Sequence, residues 1–201
     1  MYGASKEDLP HFPLPVVLFP GAPMPLHIFE ARYRAMVARC LEVDQRFGLL
    51  HHDSDEDGPF LNEEGQVGTV AVIEEFRPLP DGRSLILVRG EGRFEISQGL
   101  DQRELFYEAE IRPFVDETYP LPEAIRIARE HTLMLFQAVV QRLEDPPGEL
   151  PEFDVAEDLS FQLAPTVQID SRWQQSFLEL RQEAHRLERL DAVFQAAVDQ
   201  S

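Results

Sequence analysis

Asp53, Asp55, Asp57, Gly58 and Glu64 reproduce the spacing of the twelve-residue loop that surrounds calcium. Carboxylates stand at alternating positions, a glycine allows the sharp turn, and a distal acid can bind through both oxygens. The flanks, however, are apolar runs at 47–50 and from 67 onward that read as strands rather than as paired helices, and Pro59 stiffens the position that would offer its carbonyl. The segment is therefore expected to be a solvated acidic loop, with Asp53, Asp55, Asp57 and Glu64 as its metal-ligand candidates. His51 and His52 suggest a transition metal with the same aspartates, but successive side chains on a strand point to opposite faces. Nucleophilic chemistry finds little support. There is no Gly-x-Ser-x-Gly elbow and no Gly-x-x-x-x-Gly-Lys phosphate loop, and Lys6 is the only lysine that could activate a serine. His27, His131 and His185 are scattered, and pairs such as Glu63-Glu64 and Glu74-Glu75 are too plentiful to single out an acid/base couple. No catalytic residue and no cofactor is expected.

Bulk composition narrows the partners. With 37 Asp and Glu against 18 Lys and Arg the formal charge is −19, which denies the chain the basic stripe that nucleic acid or anionic lipid requires. The single cysteine, Cys40, leaves no internal disulfide and fits a reducing compartment. Neither a leader at Met1–Pro10 nor a spanning apolar run is visible. A cytoplasmic protein with no nucleic-acid and no membrane partner is expected.

The elements that would position a site divide near Thr118-Tyr119-Pro120-Leu121-Pro122 into a β-rich part, residues 10–117, and a helical part, residues 121–198. Val16–Phe19 reads as a short strand ended by Pro20-Gly21, and Pro23 and Pro25 keep the next segment extended. From Phe29 to Leu41 the residues Phe29, Tyr33, Met36, Val37, Cys40 and Leu41 share one helical face, which makes Cys40 a core residue. Runs at 47–50, 67–76, 84–89, 94–96 and 106–114 read as strands, with Pro80-Asp81-Gly82 as a hairpin turn and Gly90-Glu91-Gly92 as a second turn. Together they predict a closed or nearly closed antiparallel barrel. Beyond it, 123–143 is apolar around most of its circumference and is expected at the centre of a bundle, stopped by Asp145-Pro146-Pro147-Gly148. Asp154 with Glu157, and Ser171 with Gln174, look like capping boxes, the second opening one long helix whose seam runs through Trp173, Phe177, Leu180, Ala184 and Leu187 and is interrupted by Asp191 before Phe194 and Val198.

Three groups of residues carry a family resemblance. Phe12-Pro13-Leu14-Pro15-Val16-Val17-Leu18-Phe19-Pro20-Gly21 with Met24-Pro25-Leu26-His27-Ile28-Phe29-Glu30 and Tyr33 resembles the opening of the N-terminal, substrate-binding domain of Lon proteases. Gly65–Ile73, Leu79-Pro80-Asp81-Gly82-Arg83 and Gly90-x-Gly92-Arg93-Phe94 are similar to its later strands. Leu159-Ser160-Phe161-Gln162-Leu163, Gln175–Leu180 and Arg186-Leu187-Glu188-Arg189-Leu190 are similar to its helical half. The resemblance implies an α+β fold, a PUA-like antiparallel β pseudo-barrel with one helix followed by a C-terminal helical bundle. In a full Lon protease an ATPase module and a Ser-Lys protease domain follow, whereas this chain ends at Ser201.

The function expected is thus a non-catalytic, stand-alone binding module for unfolded or partly folded protein segments, with a separate ATPase or protease as a further partner. The expected contact is an extended loop holding Pro23, Met24, Pro25 and Leu26 beside Phe29, where Met suits varied apolar partners; the alternative is that this loop plugs one end of the barrel. Two other classes stay open: a nucleic-acid binder, which PUA-like barrels support but the charge opposes, and a small-molecule enzyme.

Overall fold

Pro80-Asp81-Gly82 folds as its residue types dictate. In the computed structural model, which describes residues 7–100, 105–117, 122–143 and 151–200, Gly82 takes φ +81° and donates its N–H to the Leu79 carbonyl (3.1 Å). The turn joins β4 (Val67–Pro78) to β5 (Ser84–Gly99). Around this hairpin the strands β1 (Glu7–Leu14), β2 (Pro23–Ile28), β3 (Arg46–His51) and β6 (Tyr107–Pro113) make one sheet in the order β2-β5-β4-β3-β1-β6. β6 also pairs with the second half of β5, which closes the ring, and β2 is an extra strand on the first half of β5. Lys6, residues 118–121 of the expected boundary and the stop at 145–148 lie outside the described residues.

Three features differ from the sequence expectation. β1 pairs with β3 in parallel, so the barrel is not wholly antiparallel. The chain between them has room for a crossover, because it contains β2 and the helix α1 (Ala31–Val43). β1 itself is masked in the sequence by Pro10 and Pro13, which argue against a strand, while Val16–Phe19 forms none. Gly90-Glu91-Gly92 is not a turn but part of the continuous β5. Gly90 is required there by close approach: a Cβ would lie 2.2 Å from the Phe19 carbonyl oxygen.

One core cluster packs Tyr33, Met36, Val37 and Cys40 of α1 against Phe12, Phe47, Ile73 and Val88; a second, smaller one groups Leu9, Leu50, Phe94, Ile96 and Ile111. The helix starts at Ala31, so Phe29 precedes it and is exposed. The barrel unit runs to Val115 and also takes in Asp170–Leu178. That segment holds α5 (Ser171–Leu178), whose Phe177 is buried against Phe19 with ring centroids 5.8 Å apart, while Gln175 donates to the Val67 carbonyl (3.0 Å). The helix α5 lies within the stretch 121–198 expected as the helical part and is grouped with the barrel unit.

The second unit comprises Asp116–Ile169 and the chain from Glu179. Here α3 (Pro122–Val140) packs on α6 (Glu183–Gln200) through Phe136 and Phe194, ring centroids 5.6 Å apart. Contrary to expectation α3 is not a bundle centre: only Thr132 and Phe136 are buried, and Ile127 and Met134 are exposed. The long helix expected from Ser171 is broken at 179–182, because the carbonyls of Leu180 and Arg181 accept from Arg186 and from the Glu117 N–H instead of continuing a helical ladder. The caps are also shifted. Asp158 caps α4 (Leu159–Leu163) and Asp170 receives the Trp173 N–H, in place of Asp154 and Ser171.

Candidate functional site

The register of β2 decides what its residues can do. Gly90 donates its N–H to the opposite Ala22 carbonyl (3.0 Å), so ladder bonds fall on the even residues 22–28. Pro23 and Pro25 therefore stand on the free edge, where their missing N–H groups blunt it against another strand. Side chains alternate in the same way. Met24 and Leu26, opposite the buried Val88 and Ile86, pack onto the core. Pro23, Pro25 and His27 face outward opposite Arg89, Leu87 and Leu85. Phe29 follows, 58% exposed, its ring 5.6 Å from that of His27, and Leu85 is 42% exposed. The five residues read as one loop are thus a strand and its exit, divided between the core side and the outer side.

Leu85 and Leu87 were not foreseen, although a signal exists. Leu85-Ile86-Leu87-Val88 is apolar without alternation, the pattern of a strand with an apolar side chain on both faces. One face is the barrel core; the other, with Pro25 and Phe29, is open. Its border is charged: Arg89 forms a two-point ion pair with Glu74 (2.6 and 3.2 Å). An apolar strip bordered by polar groups is what a partner with exposed apolar side chains can cover.

The acidic loop is arranged differently. Asp53 caps the single turn α2 (Ser54–Asp57) by accepting the Asp55 N–H (3.0 Å), while the Asp57 carboxylate accepts from the Asp53 N–H (3.2 Å) and pairs with Arg172 (2.9 Å). Asp53, Asp55, Asp57 and Glu64 are not brought together, and among the described residues no three His, Cys, Asp or Glu side chains form a metal-holding group. His52 donates to the Gly58 carbonyl (2.9 Å). Cys40 is buried, and burial pushes its thiol up to about 12, which keeps it protonated and unreactive at neutral pH.

Two buried polar groups hold the scaffold. His11, fully enclosed on β1, donates to Asn62 Oδ1 (3.2 Å), whose amide in turn donates to the Glu108 carbonyl (2.7 Å). Burial lowers its pKa to about 4. In the second unit Arg186 uses all five N–H donors: Ser160 Oγ (2.8 Å), Asp116 (3.0 and 2.5 Å), Asp158 (2.7 Å) and the Leu180 carbonyl (2.7 Å). Its guanidinium also lies 4.3 Å from the Phe161 ring centroid. No helix among the described residues is long and apolar enough to cross a membrane.

Comparison with known proteins gives a consistent picture. The family model described as the ATP-dependent protease La (LON) substrate-binding domain matches residues 8–191. A Lon protease of Haemophilus influenzae is 26% identical over 201 aligned residues, 97% of this chain and 25% of that protein. A LON peptidase N-terminal domain and RING finger protein of Schizosaccharomyces pombe is 39% identical over 100 residues, 43% of this chain and 21% of that one. Among solved structures, a Lon N-terminal domain protein from Xanthomonas campestris superposes with a TM-score of 0.61 at 26% identity, covering 92% of this chain and 98% of the other. The N-terminal domain of a Mycobacterium avium complex Lon protease does so with a TM-score of 0.69 at 18% identity, covering 94% and 98%. The chain spans about a quarter of the length of the curated relatives just named.

Proposed function

The chain belongs to the LON substrate-binding domain family, and on that premise we propose that it is a non-catalytic module that holds exposed apolar segments of unfolded or partly folded proteins. The observation that carries this reading is the uncovered outer strip of β2 and β5, with Pro23, Pro25, Phe29, Leu85 and Leu87 on it and Met24 and Leu26 bracing it from beneath. Such a surface binds by apolar contact without strand pairing, because two prolines remove donors from the β2 edge. It therefore favours many partners at modest strength, in the micromolar range. These 201 residues contain no phosphate loop, so handing a bound segment onward falls to an ATPase or protease outside them, and the reducing cytoplasm is the setting that suits the buried Cys40 thiol.

The test is fluorescence anisotropy of a labelled, aromatic-rich unfolded polypeptide. Saturable binding with a micromolar midpoint supports the proposal; a flat titration at high micromolar protein sinks it. Met24→Asp is a poor probe, since its side chain packs on the core, whereas Leu85→Asp alters the outer face alone.

A further inference from the structure

A second concave surface of the barrel unit is walled by residues other than those of the β2–β5 strip. It is a cleft of about 340 Å³ walled by Pro13, Pro15 and Pro59 and by the rings of Tyr33, Phe60 and Tyr107. The rings stand at angles to one another: Phe60 meets Tyr107 edge to face at 4.8 Å, and His52 closes the row at 5.3 Å from Phe60. Its size reaches the lower end of the range of small-ligand and peptide pockets.

Two polar observations say what should enter it. Neither the Tyr33 nor the Tyr107 hydroxyl has a hydrogen-bond partner among the described residues, and although the Tyr33 side chain is buried its hydroxyl oxygen is not enclosed, so both hydroxyls are open to a partner at the cleft that their rings line. Burial raises the Tyr33 phenol to about 12, which keeps it a donor. The charge around the cleft is also one-sided. Glu30 and Arg32 at its rim neutralise each other at 3.0 Å. The adjoining loop carries Asp53, which caps α2, and Asp55, which is exposed and makes no ion pair among the described residues, on a chain of formal charge −19.

We propose that this cleft binds a proline-rich segment of another protein in the polyproline II conformation, with a basic residue beside the prolines. A polyproline helix lacks internal hydrogen bonds and needs no strand edge, so it presents carbonyls to side-chain donors and flat pyrrolidine rings to aromatic faces. Tyr33 and Tyr107 supply the donors, Phe60 and the prolines the apolar walls, and the Asp53–Asp55 loop the complement to an arginine.

The probe is a labelled peptide of roughly nine residues, three polyproline turns, with two Pro-Pro pairs and an arginine at each end. Anisotropy titration of the full chain should show saturable micromolar binding. The Tyr33→Phe, Tyr107→Phe double variant, which keeps both rings and hence the fold, should bind about tenfold more weakly through the loss of two hydrogen bonds. Replacing the prolines by alanine should abolish binding, and replacing the arginines by glutamate should weaken it severalfold. Leu85→Asp, on the separate strip, should leave this peptide's affinity unchanged, so that failure of the strip and failure of the cleft are told apart. Absence of saturation, equal binding of the alanine peptide, full affinity in the double tyrosine variant, or loss of binding in Leu85→Asp would each overturn the proposal.

Discussion

Replacing Arg186 tests whether one buried guanidinium organises the second unit. All five of its N–H groups are bonded, and its side chain is wholly enclosed, whereas its two partners Asp116 and Asp158 are each 33% exposed. Arg186→Ala leaves two carboxylates facing a void. Breaking a buried pair from one side costs about 3–5 kcal/mol, and because water reaches both acids the lower end, about 3 kcal/mol, is expected. At 2–4 °C per kcal/mol for a chain of this size, the melting temperature should fall by about 6–12 °C. Arg186→Lys keeps the charge but has three donors in place of five and no planar group over Phe161, so a loss of about 2 kcal/mol is expected. If orphaned charge is the cause, a triple variant, Arg186→Met with Asp116→Asn and Asp158→Asn, should recover much of the loss, since Asn can still cap α4. Urea unfolding followed by far-ultraviolet circular dichroism, with Trp173 fluorescence reporting on the barrel unit, measures all three. Wild-type stability in Arg186→Ala, or a triple variant weaker than the single one, would refute the reasoning.

Three further outcomes follow from the barrel. His11 has a folded pKa of about 4, below the unfolded value of 6.5, so the folded state binds fewer protons in that window; stability should fall as pH drops from 6.5 towards 4, by about 3 kcal/mol, and His11→Gln should remove that component of the urea-midpoint profile. Gly90→Ala forces a Cβ against the Phe19 carbonyl and should cost about 1–3 kcal/mol, whereas Gly92→Ala, which meets nothing within 4 Å, should be close to neutral in thermal melts. Calcium and magnesium at equal ionic strength should shift the melting temperature alike, because Asp53 and Asp57 are engaged in capping and with Arg172; a calcium-specific rise lost in Asp53→Ala, Glu64→Ala would show that the loop closes on the ion.

The parts of this fold that were legible from sequence are those where local chemistry and tertiary context agree. The hairpin at Gly82, the α1 face of Tyr33, Met36, Val37 and Cys40, and the strands at 47–50 and 67–76 are of this kind. Long-range contacts hid the rest. Pro10 and Pro13 disguise β1, whose partners lie far along the chain. Gly90 looks like a turn glycine because its reason is the Phe19 backbone, some seventy residues earlier. The seam from Trp173 to Leu187, interrupted at Asp191 before Phe194 and Val198, suggested one helix, but Arg186 draws the Leu180 carbonyl out of it. At the proposed site, composition suggested Pro23, Pro25 and Phe29 together with Met24 and Leu26, while the inward direction of Met24 and Leu26 depends on a register that only the pairing with β5 fixes.

The central claim, that the outer β2–β5 strip is the contact for apolar protein segments, is tested most directly by Phe29→Ser with Leu85→Ser in the anisotropy titration against the unfolded polypeptide. Both side chains are exposed, so the melting temperature should stay within about 2 °C of wild type. Affinity should fall at least about tenfold as two apolar anchors are lost. Undiminished affinity in this stable double variant would contradict the account and place the contact elsewhere on the chain.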